Sequence, residues 1–325
     1  MTTTAPAPSR TTRESGSGAR LGLGTVQFGV PYGLTSGPRQ IAPALARAVL
    51  ERAWERGVDL LDTAPAYGDS EAVIAAQWPA SARFAVVSKT HRIGRDRIEP
   101  DDITQIIERA RLSIARFPRS ALHALLVHEA DDLLVPGGDR LFAALETLRR
   151  DGLIARLGVS VYHPASLEAV MARYSIDAVQ LPFNVLDQRF ARTGLIARLA
   201  AGGIEVHVRS LFMQGFLLGA PSDLPAALTR VAPLAAGFRE QARAAGLDPV
   251  TAALLLAARE PGVARIVIGI DGVTSLDENL TSFDRARCWT GEFDFTPYAI
   301  EDRDVVDPRR WSDWPPARTS HEGRP

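Results

Sequence analysis

Short apolar runs rich in Val, Ile, Leu and Ala alternate along this chain with longer stretches whose apolar residues recur every three or four positions. The short runs read as buried strands over 21–28, 58–62, 84–88, 123–127, 154–160, 177–181, 204–208 and 265–268. Helices are predicted between them, near 41–56, 69–78, 102–117, 139–150, 164–173, 191–201, 234–259 and 272–283. In the stretch 139–150, Leu141, Leu145 and Leu148 fall on one stripe of a 3.6-residue helix. Asp102 stands where an N-cap is expected.

Strand–helix alternation implies a parallel sheet with crossover helices. Such a sheet either closes into a barrel or stays open and doubly wound. Eight units favour the closed form, a single-domain α/β fold of the (β/α)8 TIM-barrel type. The expected division is a disordered leader over 1–19, rich in Thr, Ser, Pro, Gly and Ala, then the barrel over 20–284. A C-terminal segment, 285–325, follows. It carries Trp289, Phe293, Phe295, Tyr298, Trp311 and Trp314, too many aromatics for solvent, and is expected to pack partly on the barrel.

Composition narrows the partners. The chain has 325 residues, 46% hydrophobic and 23% charged, so it can bury a large core. A net charge of −1 argues against nucleic acid or an anionic membrane surface as partner. Cys288 is the one cysteine, so no internal disulfide can form. No apolar run reaches the ~18 residues of a membrane span, and the leader has no apolar signal core. A cytoplasmic location is expected, and nothing in the sequence indicates the oligomeric state. The histidines do not pair at metal-ligand spacing along one helix, so no metal is expected.

One cation stands apart. Lysine and arginine total 37, and Lys89 is the only lysine. Arginine is always charged and planar, whereas lysine is a compact ammonium. A single lysine at the end of a predicted strand therefore suggests a site that needs that geometry. In parallel barrels, function sits beyond the C-terminal ends of strands. Asp62 ends the second strand, Tyr67 follows it, Lys89 ends the third and His128 ends the fourth.

The stretches Asp62-Thr-Ala-Pro-Ala-Tyr67-Gly68, Ser88-Lys89-Thr90 and Leu126-Val127-His128 resemble the aldo/keto reductase superfamily, with its Asp–Tyr–Lys–His tetrad. The resemblance runs from about Leu21 to Asn279. It implies reduction of an aldehyde, ketone or sugar-type carbonyl to an alcohol, or the reverse, with a nicotinamide dinucleotide. Tyr67 would be general acid or base, and the Lys89 ammonium would lower its pKa. Asp62 would orient Lys89, and His128 would hydrogen-bond the carbonyl oxygen.

The resemblance also implies a cofactor site. Ser160 and Gln180 match groups that bind the carboxamide, while Val161 stands where the family commonly has Asn. Arg209 takes the place of an aromatic that stacks on the nicotinamide, followed by Ser210, Leu211, Gln214 and Gly215. Glu278 and Asn279 match adenine contacts. Gly269 and Ser275 stand where basic residues often hold the 2′-phosphate, and Asp271 beside them would repel it. NADP is the expected cofactor, with NAD possible. Tyr32, Trp311 and Trp314 are candidate substrate contacts, the substrate being a small-molecule carbonyl or alcohol. Two other readings use the same scaffold: a non-redox dehydratase or isomerase, and a cofactor-sensing protein.

Overall fold

The structure, a computed structural model, describes residues 18–34, 38–119, 121–219 and 224–311. The expected leader up to residue 17, and Trp314, lie outside the described residues. Eight parallel strands close into a barrel in chain order, and the last pairs with the first. They are β1 Arg20–Gly24, β2 Leu60–Asp62, β3 Ala85–Lys89, β4 Ala124–Val127, β5 Leu157–Ser160, β6 Ala178–Pro182, β7 Glu205–Arg209 and β8 Val263–Ile268. The chain is thus a (β/α)8 barrel.

The helices among the described residues are α1 Val26–Gly29, α2 Pro43–Glu55, α3 Ser70–Ala76, α4 Pro100–Arg116, α5 Gly138–Arg150 and α6 Pro164–Met171. They continue as α7 Arg189–Arg192, α8 Leu195–Ala201, α9 Ala226–Thr229, α10 Ala232–Ala244, α11 Pro249–Arg259, α12 Val273–Cys288 and α13 Arg303–Val306. None is long and apolar enough to cross a membrane. Their apolar stripes, such as Leu141, Leu145 and Leu148 of α5, are fully buried against the strands. Each such side chain contributes about 1.5–3 kcal/mol when taken out of water.

Some predicted elements are corrected. The first strand stops at Gly24, and residues 26–29 make a helical turn instead. The expected helix over 234–259 is two helices. Gly246 adopts a left-handed φ of 72°, and Asp248 restarts the chain by accepting the Thr251 N–H at 2.8 Å, with Pro249 at the first helical position. The expected helix over 191–201 is likewise broken, between Arg192 and Leu195. Asp102 is not the N-cap of its helix. It lies inside the first turn, and its carboxylate accepts the Glu99 backbone N–H at 2.9 Å.

A strand's inward positions recur every second residue. Leu60, Val87, Ala124, Leu126 and Ala178 form a small cluster of their own, separate from the main core. Two residues further along the same faces come Asp62, Lys89, His128 and Gln180. The period that builds the inner cluster therefore carries these polar groups to the C-terminal rim.

Beyond α12 the chain packs first on the outer helices and then, at Val306, Pro308 and Trp311, borders the cleft at the C-terminal rim. Phe293 stacks on Phe295 at 4.4 Å, and both Phe293 and Tyr298 meet Phe238 of α10 edge-on. Trp311 is buried, and its indole N–H donates to the Val305 carbonyl at 3.1 Å.

Candidate active site

Strand register sets the heart of the site. Asp62 pairs with Gly24 on one side and Val87 on the other, and Lys89 lies two residues beyond Val87. Lys89 Nζ donates to both carboxylate oxygens of Asp62 at 2.9 Å and to the Thr63 carbonyl at 3.1 Å. The two side chains are 1% and 6% exposed. Gln180 donates its amide N–H to Asp62 Oδ1 at 2.7 Å. Burial alone would pull the Lys89 ammonium down, but Asp62 and Tyr67 together outweigh it and hold its pKa above the ordinary value.

Tyr67 sits on the loop after β2, its ring centroid 5.1 Å from Lys89 Nζ. Two interactions anchor that loop. The Ser70 hydroxyl donates to the Thr25 carbonyl at 2.8 Å, and Thr25 donates its hydroxyl to the Asp62 carbonyl at 2.9 Å. Lys89 pulls the Tyr67 pKa down as expected, but it does not decide the net shift. Burial pushes the phenol above its ordinary value, Lys89 pulls it back only in part, and Asp62 adds to the rise. Desolvation thus outweighs the ammonium, and the phenol is protonated at neutral pH.

His128 is buried and lies edge-on to Tyr67, ring centroids 6.2 Å apart. Burial, reinforced by Lys89, Arg92 and Arg209, drives its pKa down to about 2, so the ring is neutral. Arg92 Nη2 stands 3.3 Å from His128 Nε2. A guanidinium only donates, so Nε2 is the acceptor here and the proton belongs on Nδ1. That buried Nδ1 has no partner among the described residues.

These residues line one cleft of about 470 Å³. It also takes in Ser160, Gln180, Arg209, Ser210, Leu211, Gln214, Gly215, Gly269, Asp271, Ser275, Glu278 and Asn279, so every expected cofactor residue borders it. Of the expected substrate residues, Tyr32 and Trp311 line it too.

Two features suit the cleft to a dinucleotide. Gln180 Oε1 is buried with no partner, an acceptor open to an amide N–H. Ser210, Met213 and Gln214 all have positive φ without being glycine. Such backbone costs about 1–3 kcal/mol per residue and concentrates at ligand sites. At the far end, the Ser275 hydroxyl accepts the N–H groups of Asp271 and Gly272 at 2.9 and 3.2 Å and donates to the Gly272 carbonyl. It is therefore spent on closing the start of α12. Among the described residues the cations lining the cleft are Lys89, Arg92 and Arg209, and none belongs to this end.

Sequence reasoning missed several lining residues: Gln27, Arg92, Tyr162 and Asn184. Arg92 and Tyr162 follow Lys89 and Ser160 by only three and two residues, so the strand-end rule could have found them. It also missed a cluster across the N-terminal end of the barrel. His123 and His207 both bond Glu205 Oε1 through Nε2, at 2.9 and 2.7 Å, and Arg156 pairs with Oε2 at 2.9 Å. Ligand-type atoms of His123, Glu205 and His207 lie within 4.8 Å of one another. Spacing along one helix does not show this cluster, because Glu205 and His207 lie two apart on β7 and His123 stands just before β4. Here the carboxylate is already engaged by two rings and a guanidinium.

The model of the aldo/keto reductase family matches residues 20–288. No curated protein matches the chain. Among solved structures, the chain is similar to a Pseudomonas aeruginosa protein assigned to the aldo-keto reductases (23% identity, 82% of this chain and 90% of that one, TM-score 0.60). It is similar to the aldo-keto reductase AKR11C1 from Bacillus halodurans, holo form (18%, 88% and 94%, TM-score 0.66). It is also similar to the glycerol dehydrogenase AKR11B4 from Gluconobacter oxydans (18%, 86% and 98%, TM-score 0.62). At these identities the likeness is one of fold.

Proposed function

The chain belongs to the aldo/keto reductase family and is an oxidoreductase of small-molecule carbonyls, and from that premise we propose that Tyr67 moves the proton while a nicotinamide dinucleotide exchanges the hydride. The observation that carries this reading is the buried Lys89–Asp62 pair beside Tyr67.

Hydride arrival at a carbonyl carbon leaves negative charge on its oxygen, and an acid must meet it. Tyr67 supplies that proton. Its phenol stays protonated in the resting cleft because burial holds its pKa up. Once the proton leaves, the adjacent Lys89 ammonium stabilises the phenolate at short range and without reorganisation. Asp62 holds Lys89 charged and in place, and Gln180 steadies the carboxylate from the other side. His128 positions the carbonyl oxygen. Its neutral ring accepts from Arg92 at Nε2, and a carbonyl oxygen placed there instead of Arg92 would favour the Nε2–H tautomer, which can donate.

The dinucleotide supplies the hydride when bound. Gln180 and Ser160 would hold its carboxamide, the Ser210–Gly215 loop its phosphates, and Asp271, Glu278 and Asn279 its adenosine. The family resemblance supports NADP, and the lack of a cation at the adenosine end among the described residues supports weak discrimination against NAD. The catalytic unit is the barrel over 20–284, with the following segment closing the cleft through Trp311.

The direct test mixes the purified protein with NADPH or NADH and a series of aldehydes and sugars, and follows loss of the reduced nicotinamide. Nucleotide-dependent reduction is expected, lost in Tyr67→Phe. A protein that binds neither nucleotide would be a non-redox enzyme, and one that binds without turnover a sensor.

A further inference from the structure

We propose that the carbonyl substrate carries an anionic group, a carboxylate or phosphate, near its reacting carbon, and that Arg209 receives it. This rests on the reading of the site given above.

Arg209 ends β7 and lines the cleft together with Tyr67, Lys89 and His128. Its guanidinium lies over the Tyr162 ring at 4.1 Å. Nη1 donates to Ser210 Oγ at 3.2 Å and Nη2 to the Val161 carbonyl at 3.1 Å. These contacts use two of the five N–H donors a guanidinium offers, and all are with neutral groups. They fix the plane of the fork without neutralising it.

The neighbouring cations are matched. Lys89 has Asp62 at 2.9 Å, Arg92 has Glu129 at 3.2 Å and Arg189 has Asp187 at 2.7 Å. Arg309 pairs with both Asp307 and Glu129. Arg209 has no carboxylate at ion-pair distance among the described residues. Glu129 and Asp187 feel its charge, but each is already engaged elsewhere. A half-buried cation without a counter-ion is costly, and a bound anion would remove that cost.

The stretch expected to hold the dinucleotide phosphates runs onward from Ser210. Arg209 touches its first residue through Nη1, while Nη2 and the face of the fork lie on Val161 and Tyr162 beyond β5. Its field reaches the reacting groups, pulling against the high pKa of Tyr67 and lowering that of His128. An anion seated on Arg209 therefore lies beside the chemistry. A planar fork backed by an aromatic ring matches carboxylate or phosphate through paired hydrogen bonds.

The test compares matched aldehydes at saturating cofactor: succinic semialdehyde against its methyl ester, and glyceraldehyde 3-phosphate against glyceraldehyde. The wild-type protein should favour the charged member of at least one pair by roughly 10–100-fold in kcat/KM, the worth of a hydrogen bond to a charged group. Which pair shows it identifies carboxylate or phosphate. In Arg209→Met the ratio should collapse towards one, mainly through KM for the charged aldehyde, with Arg209→Lys intermediate. Cofactor Kd, from quenching of intrinsic fluorescence, should change less than the ratio does, and thermal melting of both variants checks that they fold. Glyceraldehyde turnover with no preference in either pair overturns the anion assignment and leaves the reductase reading standing. A ratio preserved in Arg209→Met, or a loss confined to cofactor Kd, also overturns it. No turnover of any aldehyde with either nucleotide overturns both.

Discussion

Gly29 packs directly on the backbone of Tyr67: a Cβ placed on Gly29 would lie 1.7 Å from the Tyr67 carbonyl oxygen and 2.4 Å from the Ser70 nitrogen. Both neighbours are backbone, so neither can swing aside as a flexible side chain would. The turn after β1 therefore fixes where the proposed proton donor stands.

Gly29→Ala should move the Tyr67 loop. Overpacking of this kind costs about 1–3 kcal/mol of stability. Because misplacing a reacting group by ~1 Å can cost ~10²-fold, turnover should fall further than thermal melting suggests. Steady-state kinetics beside a melting curve check this. A variant with wild-type turnover and wild-type melting would show that Tyr67 tolerates displacement or is not positioned here.

Acid should loosen the barrel from its N-terminal end. Burial lowers the His207 pKa despite Glu205, while hydrogen bonds from His123 and His207 hold the Glu205 carboxyl well below the carboxylate range despite burial. A group whose folded pKa is depressed binds fewer protons folded than unfolded, so stability rises with pH. For His207, and for His128 at about 2, the stability present above the unfolded value of ~6.5 is lost as pH falls below it. Glu205 adds a loss below ~4.5. The melting temperature should therefore begin to drop near pH 6.5, and His207→Gln should reduce the slope between pH 6.5 and 5. A melting temperature flat from pH 7 to 5 contradicts this account.

The barrel was legible because buried parallel strands are short apolar runs, and their C-terminal ends could be counted. Asp62, Tyr67, Lys89 and His128 fell on those ends, and the structure brings them into one cleft. Helix breaks were not legible where the apolar period continues through them, as it does across Gly246 and Asp248. Nor was the sign of the Tyr67 shift, which depends on how deeply the phenol is desolvated. The His123–Glu205 bond spans 82 positions, and only barrel closure brings its ends together.

Cofactor choice follows from the adenosine end of the cleft. NADPH should be preferred over NADH by less than ~100-fold, about 2.7 kcal/mol. Asp271→Asn removes one of the carboxylates lining this end and should shift the preference towards NADPH relative to NADH. Fluorescence titration of both nucleotides measures this. A larger preference in the wild-type protein would mean that a cation outside the cleft lining reaches the 2′-phosphate.

The central claim is that Tyr67 moves a proton under the influence of a compact ammonium, and Lys89→Arg tests it most directly. Arginine keeps the positive charge, but a guanidinium is broader and spreads that charge, so it cannot occupy the same place against Asp62 and Tyr67. Turnover at saturating cofactor and substrate, followed across a pH series, should fall by about 10²–10⁴-fold, the usual worth of general acid catalysis, while nucleotide binding is largely kept. Near wild-type turnover in Lys89→Arg would contradict the account, because charge alone would then suffice and the buried lysine would have no part in the proton transfer.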